Sequence, residues 1–148
     1  NASLWFGKTG TEENTPATSK PLNIYLGLDD NESEAPFAQC TSETVELNGY
    51  NGQGSSYHRN QTSLVRGWSK DDFTPIKTTM LVQPSKFLFG GERGGLVAFR
   101  NPNRMSDSKY YYHTNELRFV YLYGDGHVSF TKIGLNKPNT DNYMWDNE

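Results

Sequence analysis

Residues 110–133 read YYYHTNELRFVYLYGDGHVSFTKI, and the reading of this stretch decides the fold. From Leu117 to Tyr123 every second residue is leucine or aromatic, the period-two pattern of a strand with one buried face. Gly124-Asp125-Gly126 breaks the run, and Asp-Gly is among the strongest two-residue hairpin turns because both central positions need positive φ. A second alternating run, His127 to Ile133, follows at once. With Asp125 and Gly126 as the turn, Tyr123 faces Val128, Tyr121 faces Phe130 and Phe119 faces Lys132, while Leu122 faces Ser129 and Val120 faces Thr131. One face of the hairpin then carries Phe119, Tyr121, Tyr123 and Phe130. Burying each of these side chains contributes about 1.5–3 kcal/mol, more than a turn supplies, so the face must pack on something.

Upstream of the hairpin, Phe87-Leu88-Phe89 ends at Gly90-Gly91 and predicts a central strand over Lys86 to Phe89. Glu92-Arg93 sits between two Gly-Gly pairs, which predicts a tight turn or a close backbone approach. Leu96 to Phe99 is a further apolar run, closed by Asn101-Pro102-Asn103. Pro75 opens a short helix or a turn, and residues 48–59, dense in Gly, Asn and Ser, must turn repeatedly. Leu22, Tyr25 and Leu26 share a helical face ahead of Gly27, which predicts one or two helical turns. Phe37 to Leu47 reads as a short strand or irregular packing around Cys40. Residues 134–148 form a loop-like tail that Trp145 is expected to pin to the body. The expected fold is α+β, mostly β, with an antiparallel sheet in one domain: a linker over 1–20, a body over 21–133 and the tail.

Composition narrows the function. A chain of 148 residues can bury a real core, and since aromatics make up 14% of it, a few large side chains must carry that core. A net charge of −3 without a basic block argues against nucleic acid as a partner. No stretch approaches the roughly 18 apolar residues that span a membrane. The chain begins with Asn1, so it is expected to be a piece from which an N-terminal segment is missing.

Catalytic and metal patterns are sparse. Cys40 is the single cysteine, which removes an internal disulfide and every multi-cysteine zinc pattern. The acidic run Asp29 to Glu34 fails the EF-hand spacing, lacking the glycine at loop position 6 and the glutamate at position 12. Gly52-Gln53-Gly54 is not followed by Gly-Lys-Ser/Thr, and Ser55 and Ser56 lie in no Gly-x-Ser-x-Gly elbow. His58 and Arg59 could bind an anion together. His113, Asp125 and His127 are the cluster to weigh as catalytic or metal-binding, but the register sets the two histidines too far apart for one metal. Asp125 then supplies turn geometry and His113 bonds local backbone. Glu92, Asp107 and Glu116 have no pairing that spacing demonstrates.

The order of these marks resembles the pilin-like proteins that carry the prepilin-type processing-associated H-X9-DG domain, relatives of the type II secretion pseudopilins. Lys20 to Gly27 (KPLNIYLG) is similar to that family's RPLNPYLG segment, and Gln39 to Glu43 to its Cys-Pro-Ser-Asp mark, with Cys40 and Ser42 kept. Gly54-Ser55-Ser56-Tyr57 with Asn60 resembles GSSYxxN, and Ile76 through Pro84, Ser85 and Glu92 resembles IxxPSxxxxxxE. His113 and Asp125-Gly126-His127-Val128 resemble the H...DGHV signature, with eleven intervening residues where the family has nine. The difference of two preserves strand parity.

The resemblance implies a non-catalytic structural subunit of a type II secretion or type IV pilus-like filament. Such a subunit is periplasmic or at the cell surface, and is anchored in the inner membrane before assembly by an apolar N-terminal helix that this chain lacks. Its implied partners are other pilin-like subunits and the assembly machinery. The helix would pack on the hairpin's aromatic face, and an upstream cysteine near its end would pair with Cys40. No cofactor is assigned; calcium stabilises major pseudopilins of related systems, but the acidic loop it uses is not recognisable here. The residues singled out are structural: Cys40, Ser42, Tyr57, Asn60, Pro84, Ser85, Glu92, His113, Asp125 and Gly126. The alternatives are an extracellular carbohydrate-binding β module, pointed to by Trp5, Trp68, Trp145 and nine tyrosines, and a small secreted hydrolase, which would need paired carboxylates or a His-carboxylate pair.

Overall fold

The computed structural model describes residues 6–12, 16–43, 49–60, 65–66, 74–75, 79, 81–106, 110–111, 113, 116–135 and 140–144. In chain order the strands are β1 (Tyr57–Arg59), β2 (Val65–Arg66), β3 (Thr74–Pro75), β4 (Leu88–Glu92), β5 (Arg118–Tyr123) and β6 (Val128–Lys132). The helix α1 (Arg93–Arg100) follows β4 directly. An antiparallel sheet runs in the order β1-β4-β5-β6, and β2 pairs with β3 separately. Short 3-10 segments at Ala17–Ser19, Asn23–Leu26, Pro36–Ala38 and Pro102–Ser106, and a π turn at Gly49–Gln53, complete an α+β architecture around an antiparallel sheet, as expected. Among the described residues no helix is long and apolar enough to cross a membrane.

The hairpin forms, with its register moved by one residue. Its connection holds three residues, Gly124 to Gly126: Tyr123 N donates to His127 O at 2.9 Å and Gly126 N to Tyr123 O at 3.0 Å. Gly126 takes φ 92°, the pattern of a type I turn closed by a positive-φ glycine. Tyr121 therefore faces Ser129, and Val120 faces Phe130. Because side chains alternate, the one-residue shift turns Phe130 away from Phe119, Tyr121 and Tyr123. Those three are buried, whereas Phe130 is 44% exposed and joins Val120, Leu122 and Val128 on the opposite face.

The aromatic face also has a different partner from the one expected. It is covered by α1, which runs back over β5, not by a segment outside the chain. Two glycines inside a helix cost about 1 kcal/mol each relative to alanine, and close packing is their reason here. A Cβ on Gly95 would overlap the Tyr121 hydroxyl, and one on Gly94 the Tyr110 carbonyl. The close approach expected at this Gly-Gly site is present, and a helix begins there where the sequence predicts a tight turn. Phe99 of α1 stands at 6.5 Å from the Tyr121 ring and edge-on to Tyr143 at 5.7 Å.

The central strand starts and ends later than expected, at Leu88–Glu92, because Phe87 is engaged by the tail. Leu88 N donates to Met144 O and Met144 N to Lys86 O, each at 2.8 Å. Tyr143 and Met144 are thus what ties the described tail to the body, with the Tyr143 hydroxyl accepting from Gly134 N at 2.8 Å. Trp5, Trp68 and Trp145 lie outside the described residues, as do Asp107, Ile76 and Val45 to Leu47. The predicted turn at Asn23–Leu26 forms and ends on Gly27 in the left-handed region, with Tyr25 outermost. Pro75 stands in a short strand instead of opening a helix.

Candidate functional site

The sheet gathers three chemically active side chains that are far apart in sequence. β4 ends at Glu92 because the chain turns into α1, so the Val120 N–H of β5 has no further strand partner. The Glu92 side chain takes that place: Oε2 accepts from Val120 N at 2.8 Å. Its other oxygen, Oε1, lies 2.6 Å from His113 Nε2, and the carboxylate is fully buried. His113 comes from the segment before β5, keeps 24% of its side chain exposed, and rests edge-on against Phe130 at 5.4 Å. The same Nε2 stands 3.7 Å from Cys40 Sγ.

Cys40 is held from behind. Its N–H donates to Ser56 Oγ at 2.9 Å, and Ser56 Oγ in turn donates to the Glu43 carboxylate, which also accepts from Tyr50 N at 3.0 Å. Tyr57, paired with Glu92 across β1 and β4, closes another side. Burial pushes the Cys40 thiol up to about 11, with the Glu92 charge adding and the Ser42 backbone opposing. Burial likewise lifts the Tyr57 phenol to about 12, helped by Cys40 and Glu92.

An activated thiol has its pKa lowered, whereas burial pushes this one up. A relay would also use both imidazole nitrogens, one toward the nucleophile and the other toward the orienting carboxylate. Here Cys40 and Glu92 share Nε2. The arrangement is a convergence of three donor atoms on one point. Among the described residues it is the one cluster of three metal-capable side chains, all ligand atoms lying within 4.8 Å of one another.

The other signature residues stand outside this group. Asn60 is buried and bonds β4 twice, Nδ2 to Leu88 O at 2.9 Å and N to Phe89 O at 2.8 Å. Pro84 lies against Gly124 of the hairpin tip, while Ser42 and Ser85 are exposed. At that tip Asp125 Oδ1 accepts from His127 N at 3.1 Å and lies 2.6 Å from His127 Nδ1, so Asp125 shapes the turn. The His113 ring reaches two residues far away in sequence, Glu92 and Cys40. Glu92, left without a partner by spacing arguments, is the centre of the group. Its partners lie 21 and 28 positions away, beyond any local motif. The one signal available was that Cys40, Glu92 and His113 each belong to a different mark of the resemblance. The acidic run folds on itself, Asp30 Oδ1 accepting from Glu32 N at 2.8 Å and Ser33 N at 2.6 Å.

Comparison with protein-family models, curated proteins and solved structures gave no match.

Proposed function

We propose that this chain is the globular part of a pilin-like or pseudopilin subunit, a non-catalytic building block of a type II secretion or type IV pilus-like filament. The observation that carries the reading is the two-sidedness of the sheet. One face is closed by α1. The other presents an apolar groove of about 440 Å³ lined by Tyr57, Phe89, Val120, Leu122 and Val128, with Phe6 at its margin. Val128 is 63% exposed, an unusual place for a branched apolar side chain in a sheet that must stay unaggregated. The occupant in this reading is an apolar helix of the same protein preceding Asn1. Phe6 brings the early chain to this groove, so such a helix would lie along the open face and continue into a filament core. The order of the five sequence marks supports the same reading.

A carbohydrate-binding module would instead present a row of aromatics on a sheet face. The β5 aromatics Phe119, Tyr121 and Tyr123 are buried, and on the open face Tyr57 and Phe89 are interspersed with Val120, Leu122 and Val128, a mixed apolar groove and not a row of rings, which favours the subunit reading. The test is the gene product with its upstream sequence. A Gly-Phe-Thr-Leu-x-Glu junction followed by about twenty apolar residues is expected, and Val128→Glu should prevent filament incorporation while leaving the thermal midpoint of residues 1–148 within a few degrees. Absence of an apolar segment upstream, or normal assembly of Val128→Glu, would overturn the reading.

A further inference from the structure

We propose that Cys40 Sγ, His113 Nε2 and a Glu92 carboxylate oxygen form a binding site for a thiophilic divalent cation of the zinc class. The proposal stands on geometry that owes nothing to the filament reading. Three donors of the zinc type come from three separate segments and converge on one point, with their ligand atoms within 4.8 Å of one another. Tetrahedral zinc, with bonds of about 2.3 Å to sulfur and about 2.0–2.2 Å to nitrogen and oxygen, sets sulfur and nitrogen about 3.6 Å apart and nitrogen and oxygen about 3.4 Å apart. The Cys40–His113 separation of 3.7 Å already meets the first figure. The His113–Glu92 contact of 2.6 Å must open by less than about 1 Å, exchanging one hydrogen bond for two metal bonds.

Charge and orientation fit as well. A buried carboxylate and a thiolate carry two negative charges, which a divalent ion neutralises without a further counter-ion. On binding, the thiol proton leaves to solvent, and the imidazole proton resides on Nδ1 so that the Nε2 lone pair faces the metal. The ligands are pre-set from behind by Val120 N on Glu92 and by Ser56 Oγ on the Cys40 amide. Thiolate and imidazole select zinc-type ions over calcium or magnesium, which require oxygen shells. The partly exposed edge of His113 leaves the fourth position to water. A disulfide from Cys40 to an upstream cysteine and this site are exclusive uses of one sulfur.

The experiment uses the tag-free chain, stripped with a chelator and titrated with Zn²⁺ by calorimetry and with Co²⁺ by absorbance. One equivalent of each is expected, and the cobalt form should show a thiolate charge-transfer band and tetrahedral d–d bands. Cys40→Ser should abolish the charge-transfer band, and Cys40→Ser and His113→Gln should each weaken zinc binding by more than about 100-fold, beyond what loss of a supporting contact causes. His127→Gln, at the hairpin tip, should leave affinity unchanged. Glu92→Gln tests the third ligand, and if it fails to fold the other two variants still decide. Absence of the charge-transfer band, unchanged zinc affinity in Cys40→Ser or His113→Gln, or Cys40 found in a disulfide in the full-length protein would overturn the proposal.

Discussion

Residues 88–133 and residues 6–56 are built on different principles. In the first region the fully buried side chains, apart from the Glu92 carboxylate, are large and apolar in bulk: Leu88, Phe119 and Tyr121, with Phe99 packed against them. In the second they are Asn23, Ser55 and Ser56, beside a small cluster of Leu28, Ala35, Ala38 and Tyr50. Asn23 alone joins three chain segments, donating from Nδ2 to Gly7 O and Ala17 O at 2.8 Å each and accepting from Gly7 N at 2.9 Å. The buried Lys20 ammonium donates to the Lys8 and Gln53 carbonyls in the same place. Apolar area is non-directional and tolerates a change of shape that keeps volume. Hydrogen-bond geometry tolerates none, because an isostere leaves donors and acceptors orphaned. The two regions should therefore fail in different ways.

The largest effect is expected on the sheet. Tyr121→Ala empties the space between Phe99 and Phe119 and should cost about 3–5 kcal/mol in urea unfolding. Tyr121→Phe sharpens the point, since the Tyr121 hydroxyl is buried with no hydrogen-bond partner among the described residues. Its removal should leave stability unchanged or raise it by about 1 kcal/mol. A loss of more than about 1 kcal/mol in the phenylalanine variant would mean that this region, too, depends on a polar contact. In the N-terminal region the order reverses. Asn23→Leu keeps the volume but strands three backbone groups, so it should cost about 2–4 kcal/mol, and a cost below about 1 kcal/mol would erase the contrast.

A smaller effect belongs to the hairpin tip. Nothing lies within 4 Å of a Cβ placed on Gly126, so Gly126→Ala pays only for its φ of 92°, about 1–2 kcal/mol. The same substitution at Gly95 meets the Tyr121 ring and should cost more, about 1–3 kcal/mol or above, by overpacking. Thermal unfolding of the two variants side by side separates backbone strain from lack of space.

The same division explains what could be read in the sequence. Period-two patterning located β5 and β6 because their burial alternates residue by residue, and it failed by one position because the three-residue turn and the two-residue turn use the same Asp-Gly. That single residue moved Phe130 to the open face. The helix α1 was hidden by its own glycines, whose intrinsic preference is overridden by contact with Tyr110 and Tyr121. The N-terminal region shows no period at all. Its order comes from Lys20, Asn23, Glu43 and Ser56 reaching main-chain and side-chain groups up to 33 positions away. For the same reason the Cys40–Glu92–His113 group could not be assembled from spacing, although each member stood out within its own segment.

The smallest expected effect is a dependence on pH confined to the N-terminal region. The Tyr50 hydroxyl donates to Glu34 Oε2 at 2.9 Å and the Lys8 ammonium lies 3.2 Å from Oε1; these two, in that order, hold the Glu34 carboxyl below its ordinary value of 4.5. A carboxyl depressed by folding adds stability that is complete above the unfolded value and is lost as pH falls through the lower, folded one. Glu34→Gln should flatten that part of the acid limb and change little at neutral pH, because the side chain is largely exposed and the ion pair is screened. The site of the change is more informative than its size. The Ala35 N–H donates to the Tyr50 hydroxyl at 3.1 Å, so its protection factor against hydrogen exchange, taken relative to the intrinsic rate at each pH, should fall on acidification in the parent and not in the variant, while that of the Tyr121 amide changes in neither. An equal fall in protection at both amides would mean that the two regions open as one unit, and the contrast between them would then be one of construction and not of stability.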